Sequence, residues 1–263
     1  MSPLVSRVVV AVVALPVVFF GIWAGGWWLV GLLTVAAMMA LHEFYELARE
    51  LRPVLLAGYA GTLAALVGAA WGPEWVLAGF FSTLPLVFLF KAAGGGMPSI
   101  ASSSVTVFGA AWIGVGLAHL VLIREIPEHG ALTLFTVVLA VFASDTAAYA
   151  AGRLIGRHKM APQTSPGKTW EGFAAGSVAA VLVPFFAFYE EEFLTVPESL
   201  AVGVAIAVAG PVGDLFESAV KRDAGVKDSG RLLLGHGGIL DRLDAFLFTG
   251  AAVYYLLVAF GAA

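Results

Sequence analysis

Between Gly210 and Asp244 the sequence reads GPVGDLFESAVKRDAGVKDSGRLLLGHGGILDRLD, a concentration of charge in an otherwise apolar chain. Asp214, Glu217, Ser218 and Lys221 fall at i, i+3, i+4 and i+7. One helix face therefore carries two carboxylates, a hydroxyl and an ammonium. Lys221, Arg222, Lys227 and Arg231 place four cations within eleven residues, beside Asp228. Gly237 and Gly238 let the backbone approach a ligand closely or adopt positive φ. Next to them, His236 is either a titrating group or a hydrogen-bonding one. Asp241 and Asp244 stand one helical turn apart at the start of the last apolar segment, where carboxylates suit the helix dipole, and Arg242 lies between them. This is equipment for phosphate chemistry. Nucleotidyl transfer needs oxygen ligands for a divalent ion, and Asp is a compact hard ligand. It also needs cations that offset charge on the phosphates in the transition state. Asp214 and Asp241, from two neighbouring helices, could share one metal centre, with Asp244 and Glu217 as further oxygen donors.

Two constellations lie upstream. In FASDTAAYAAGRLIG, Asp145, Tyr149, Gly152 and Arg153 share one helix face. A charged side chain near the centre of a membrane helix costs about 2.5–3.5 kcal/mol on insertion scales, so Asp145 should face protein or a wet cavity. It serves either an internal contact with Arg or Tyr, or the site itself. Gly152 and Gly156 form a small-xxx-small step suited to close helix packing. In SPGKTWEG, Ser165 to Gly172, the Gly167-Lys168-Thr169 run ends like a P-loop, but that motif needs Gly where Pro162 stands. What remains is a loop-to-helix junction with Pro166 near the helix start. There, free N–H groups, Ser165, Thr169 and Lys168 could hold phosphate oxygens, or Lys168 could be a snorkelling interfacial lysine. Pro211, flanked by glycines, should loosen the backbone just before Asp214, as in broken helices around ion sites.

The elements that position these residues must sit in a bilayer. Of 263 residues 60% are hydrophobic and 12% charged, with a mean hydropathy of +0.93, against roughly 25% charged in an ordinary soluble domain. The net charge of −4 gives no reason to expect a nucleic-acid partner, and the absence of cysteine excludes disulfides, thiolate zinc sites and a cysteine nucleophile. A span needs about 20 apolar residues, and nine stretches qualify: about 6–24, 27–48, 53–71, 74–91, 105–123, 131–152, 169–189, 199–220 and 242–261. The first, Arg7 followed by Val8–Ala24, reads as a transmembrane helix, with a cleaved secretory signal as the alternative. The Trp71-Gly-Pro break makes 53–91 either two spans or one re-entrant pair.

The expected class is thus an all-α polytopic membrane protein of about nine helices. With the N-terminus in the cytoplasm, thirteen of the fourteen Lys and Arg residues fall on the cytoplasmic side and only Arg124 on the other, as the positive-inside rule requires. Residues 1–130 contain no Asp, whereas all six lie between Asp145 and Asp244. The organisation expected is therefore an N-terminal helical part, 1–104, ending in the flexible-looking Ala92–Ser104. A catalytic part, 105–263, follows, with cytoplasmic loops 153–168 and 221–241.

The run Ser218-Ala-Val-Lys-Arg-x4-Lys-Asp-x-Gly, followed by His-Gly-Gly-x-x-Asp-Arg-Leu-Asp244, resembles the signature of the phosphatidate cytidylyltransferases, the CDP-diacylglycerol synthases. The Asp145 helix and SPGKTWEG are similar to other parts of that family, so the motif resemblance covers about 143–244. Leu234 departs from it, standing where the family usually has Pro, Gly or Ser. The resemblance implies a dimeric enzyme of the bacterial cytoplasmic membrane with its active site facing the cytoplasm. It would make CDP-diacylglycerol and pyrophosphate from CTP and phosphatidate. It further implies Mg²⁺, with K⁺ as a second cation, at the acids matching Asp214 and Asp241. On that reading Lys221, Arg222 and His236 belong to the catalytic set. Ser165, Lys168, Thr169, Lys227, Asp228, Gly237, Gly238, Arg242 and Asp145 contact substrate. Two rivals are a CTP-dependent polyprenol- or phytol-type lipid kinase and an ion-coupled transporter using Asp145 and Asp214. The missing internal repeat counts against the transporter.

Overall fold

The computed structural model describes residues 3–230 and 237–263, with the side chains of 3–11 and 13 outside that description; Arg231, Leu234 and His236 are therefore outside the described residues. Eleven α-helices follow in order: α1 Pro3–Ala24, α2 Gly26–Leu47, α3 Leu55–Gly68, α4 Pro73–Phe81, α5 Thr83–Ala93, α6 Ile100–Gly109, α7 Gly116–Arg124, α8 Gly130–Leu154, α9 Trp170–Phe188, α10 Val196–Asp223 and α11 Leu240–Phe260. A π-helical stretch, Ala110–Val115, joins α6 to α7, and a two-stranded hairpin, β1 Lys159–Ala161 and β2 Ser165–Thr169, precedes α9.

Among the described residues seven helical stretches are long and apolar enough to cross a membrane: Gly26–Leu47, Pro73–Ala93, Ile100–Arg124, Gly130–Leu154, Trp170–Phe188, Val196–Asp223 and Leu240–Phe260. With this composition, the chain is an integral membrane protein. α1 has 22 residues. The apolar stretch Leu55–Gly68 has 14 residues, and at 1.5 Å per residue it rises about 21 Å against a hydrocarbon core of about 30 Å.

The chain divides into two compact units, one of residues 1–125 and 224–243, the other of 126–223 and 244–263. In the first unit the long helix from Ile100 to Arg124 packs against α2, α3 and α5. In the first unit the core is threaded by hydrogen bonds. Tyr45 Oη donates to the Thr106 carbonyl at 2.9 Å, Thr106 Oγ1 accepts from Val54 N at 2.8 Å, and Ser102 Oγ donates to the Arg52 carbonyl at 2.6 Å. These bonds seat α6 on the turn between α2 and α3. Gly58 faces the Tyr45 ring, and Gly79 of α4 lies on the Ala64–Ala65 backbone of α3; a Cβ would collide at either. Arg124 closes the opposite end, donating from Nε to the Ile22 carbonyl at 2.6 Å and from Nη2 to that of Trp23 at 3.1 Å. A guanidinium there caps the last carbonyls of α1.

The second unit packs α9 against both α8 and α10. Gly172 and Gly176 of α9 lie on the Ala148 and Ser144 carbonyls of α8, and Gly152 faces Thr169 and Gly172, so the small residues do bring α8 and α9 into close contact. On α10, Val202, Ile206, Ala207, Gly210 and Gly213 are buried while Val204, Val208 and Val212 are exposed. The exposed valines repeat every fourth residue and form an apolar stripe that suits lipid. Pro211 does not break α10, which runs continuously from Val196 to Asp223. Proline removes one N–H from the ladder, and close packing, with Gly213 against the Asp244 carbonyl, holds the helix through that gap.

Candidate active site

The hairpin comes first in the second unit. β1 and β2 pair antiparallel with Lys159 opposite Thr169 and Ala161 opposite Ser165. Thr169 is buried and caps α9, its Oγ1 accepting from Gly172 N at 3.1 Å. Its side chain is thus engaged by the helix terminus. Glu171 accepts from His158 at 2.6 Å and so ties the start of β1 to the start of α9. The turn is held to α10 as well, because Arg222 Nε donates to the Thr164 carbonyl at 3.3 Å. Ser165 and Lys168 are half-buried on β2. From there Lys168 Nζ pairs with Asp214 Oδ2 at 2.8 Å and reaches the Pro211 carbonyl at 3.4 Å.

On α10 the i, i+3, i+4, i+7 face is realised. Asp214 Oδ1 accepts from Ser218 Oγ at 3.3 Å, and Glu217 Oε2 pairs with Lys221 Nζ at 2.6 Å. Glu217 is only 1% exposed and Lys221 9%. The pair is held away from water, and Glu217 fixes where the Lys221 ammonium points. Asp244, half-buried in the first turn of α11, lies within the electrostatic reach of Asp214, Asp145 and Lys221. Three carboxylates from α8, α10 and α11 thus share a neighbourhood with Lys221. Arg153 Nη1 donates to Tyr149 Oη at 2.9 Å, so that part of the α8 face forms an Arg–Tyr contact.

The first unit holds the remainder of the signature. Asp241 Oδ2 accepts from Gly238 N at 2.7 Å and from Ser229 N at 3.1 Å. Gly237 has φ of 78°, a conformation that favours glycine. Gly238 has no room for a Cβ, which would run into Ser229 Oγ and the carboxylate of Glu43. Lys227, Asp228 and Arg242 are exposed. Glu43 was not among the residues singled out from sequence. It lies near the end of α2, 4% exposed, and accepts from Ser229 Oγ at 3.0 Å, Ile239 N at 3.0 Å and Leu240 N at 2.9 Å. The one sequence signal for it was an acid in the same helical phase as the buried Ala37, Ala40, Leu41 and Phe44.

A hard divalent cation suits these donors in kind, since they are carboxylate oxygens. Among the described residues no three His, Cys, Asp or Glu side chains gather closely enough to hold one. Asp214 belongs to the second unit and Asp241 to the first.

The sequence pattern of the cytidylyltransferase family matches residues 5–260. The chain belongs to the cytidylyltransferase family. Its curated relatives include the phosphatidate cytidylyltransferase of Mycobacterium bovis, 34% identical over 248 residues that span 87% of this chain and 79% of the relative. That of Staphylococcus haemolyticus is 31% identical over 259 residues, 96% of this chain and 98% of the relative. That of Bacillus subtilis reaches 40% over 152 residues, 57% of this chain and 56% of the relative. As a family member this cytidylyltransferase is a nucleotidyltransferase, and its apolar helices make it a membrane enzyme.

Proposed function

We propose that this cytidylyltransferase transfers the cytidylyl group of CTP to phosphatidate, giving CDP-diacylglycerol and pyrophosphate. The observation that carries the proposal is the acid–cation set on α10, with Asp214 on Lys168 and Glu217 on Lys221, in a chain whose relatives are named for that reaction. A phosphate oxygen of phosphatidate attacks the α-phosphorus of CTP. The new O–P bond forms as the bond to the β-phosphate oxygen breaks, and the electron pair leaves with pyrophosphate. Phosphatidate is already ionised, so no strong general base is needed and His236 is assigned a hydrogen-bonding role. Lys221, aimed by Glu217, acts with Arg222 and Lys227 to neutralise the departing phosphates. Lys168 and Ser165 steady a substrate phosphate, and Asp228, Gly237, Gly238 and Arg242 complete the loop around the nucleotide. Asp214 and Asp241, with Asp244, are proposed to hold Mg²⁺, with K⁺ as a second cation; when bound, the ions supply charge neutralisation at the phosphate oxygens. Glu217 is engaged by Lys221, and positioning that ammonium is the role proposed for it.

The proposed setting is the bacterial cytoplasmic membrane, with α1 and α3 completing nine spans, the N-terminus and active site facing the cytoplasm, and two chains forming a homodimer. The first unit supports a membrane boundary at one end of its helices. Trp27 and Trp71 meet edge to face at 5.7 Å, and Arg124 caps α1, at the end of α2 remote from Glu43. Exposed Trp23, Trp27, Trp28, Trp71 and Trp75 form there the aromatic belt expected of a membrane interface.

Purified protein given CTP, phosphatidate and Mg²⁺ should release pyrophosphate in step with a cytidine-containing lipid. Release of CDP instead would identify a lipid kinase. Neither product, with solute flux into liposomes, would identify a transporter.

A further inference from the structure

Glu43 is a carboxylate in the interior of a membrane protein, and among the described residues no Lys or Arg pairs with it. Among the described residues three donors meet its carboxylate, all from the signature segment: Ser229 Oγ, Ile239 N and Leu240 N. The last two belong to the start of α11, where unpaired N–H groups and the helix dipole favour an anion. That anion is supplied internally, from a residue 196 and 197 positions away in sequence. Gly230 and Gly238 both lie so close to the Glu43 carboxylate that a Cβ on either would collide with it. The segment is therefore shaped to admit this side chain. Asp241 then ties Ser229 N to Gly238 N, so two carboxylates fasten both ends of the glycine-rich stretch.

We propose that Glu43 is a positioning residue for the cytidylyl transfer. It anchors the signature segment to α2 and thereby sets where Asp241 and the first turn of α11 stand. The proposal rests on the reading of that segment as part of the active site. Glu43 thus takes the Ile239 and Leu240 N–H groups at the start of α11.

The test compares wild type with Glu43→Gln, Glu43→Asp and Ser229→Ala, reading both turnover and amide hydrogen exchange at Ser229, Gly238, Ile239 and Leu240. Glu43→Gln keeps the volume but turns an amide NH₂ toward N–H donors. Exchange at these amides should rise about tenfold or more as the capping bonds weaken. The kcat should fall about 100-fold, the scale of a misplacement of about 1 Å in catalytic groups, while exchange in the Tyr45–Thr106 core stays unchanged. Glu43→Asp, retaining the charge, should recover at least about a third of the lost activation free energy, and Ser229→Ala should give the same pattern in weaker form. Unchanged exchange in Glu43→Gln and Ser229→Ala overturns the anchor. Faster exchange with kcat within twofold of wild type overturns the positioning role and leaves a structural cap. If the wild type forms no cytidine lipid, the proposed function fails, while the exchange data still decide whether Glu43 anchors the segment.

Discussion

The signature segment of the first unit and the α10 face of the second use the same residue types in opposite ways. In the first unit the carboxylates of Glu43 and Asp241 accept from backbone N–H groups and a serine. In the second, Asp214 and Glu217 pair with the ammonium groups of Lys168 and Lys221. An acid holding amides fixes the path of a backbone. An acid holding a lysine fixes a mobile cation that can be handed to a phosphate. The partner, more than the residue type, decides what each acid holds in place.

Substitutions that treat the two regions alike should give unlike results. The largest effect is expected from Asp214→Asn, which should insert normally and lose about a thousandfold or more in turnover, as when a charge-stabilising group is removed from a transfer site; wild-type turnover would remove Asp214 from the chemistry. Lys221→Met leaves Glu217 buried without its ammonium and should destabilise the protein by about 3–5 kcal/mol. The double substitution Glu217→Met with Lys221→Met should restore thermal stability without restoring turnover, measured on the same detergent-solubilised samples. If the double variant is active, the pair is only a packing element. Lys227→Ala should raise the KM for CTP about fivefold, close to the value of an exposed ionic contact, with a smaller loss in kcat. An unchanged KM would make this lysine merely solvated. Ser229→Ala should cost least, about 1 kcal/mol in thermal stability for one hydrogen bond.

Much of the second unit was legible in the sequence because its contacts are local or periodic. The apolar stretch 169–189 became α9, Trp170–Phe188, and 199–220 became part of α10, Val196–Asp223. The Glu217–Lys221 pair follows from i, i+4 spacing. Thr169 was read as a substrate contact, whereas its Oγ1 caps α9. The hairpin Lys159–Thr169 was missed, because its strands of three and five residues carry no apolar alternation. Pro211 suggested a broken helix, yet tertiary packing overrides that local signal. Glu43 was missed for another reason. Its partners lie on the far side of the sequence, and a lone acid near a helix end looks like ordinary solvation until the fold brings residues 229 and 239–240 onto it.

The most direct measurement follows α-labelled CTP into lipid in a single turnover with phosphatidate and Mg²⁺, for wild type, Glu43→Gln and Asp214→Asn side by side. The expected result is labelled CDP-diacylglycerol in the wild type, the same product formed slowly but to completion in Glu43→Gln, and none in Asp214→Asn. α-Label that stays in CDP and never reaches lipid, or equal rates in wild type and Asp214→Asn, would contradict it.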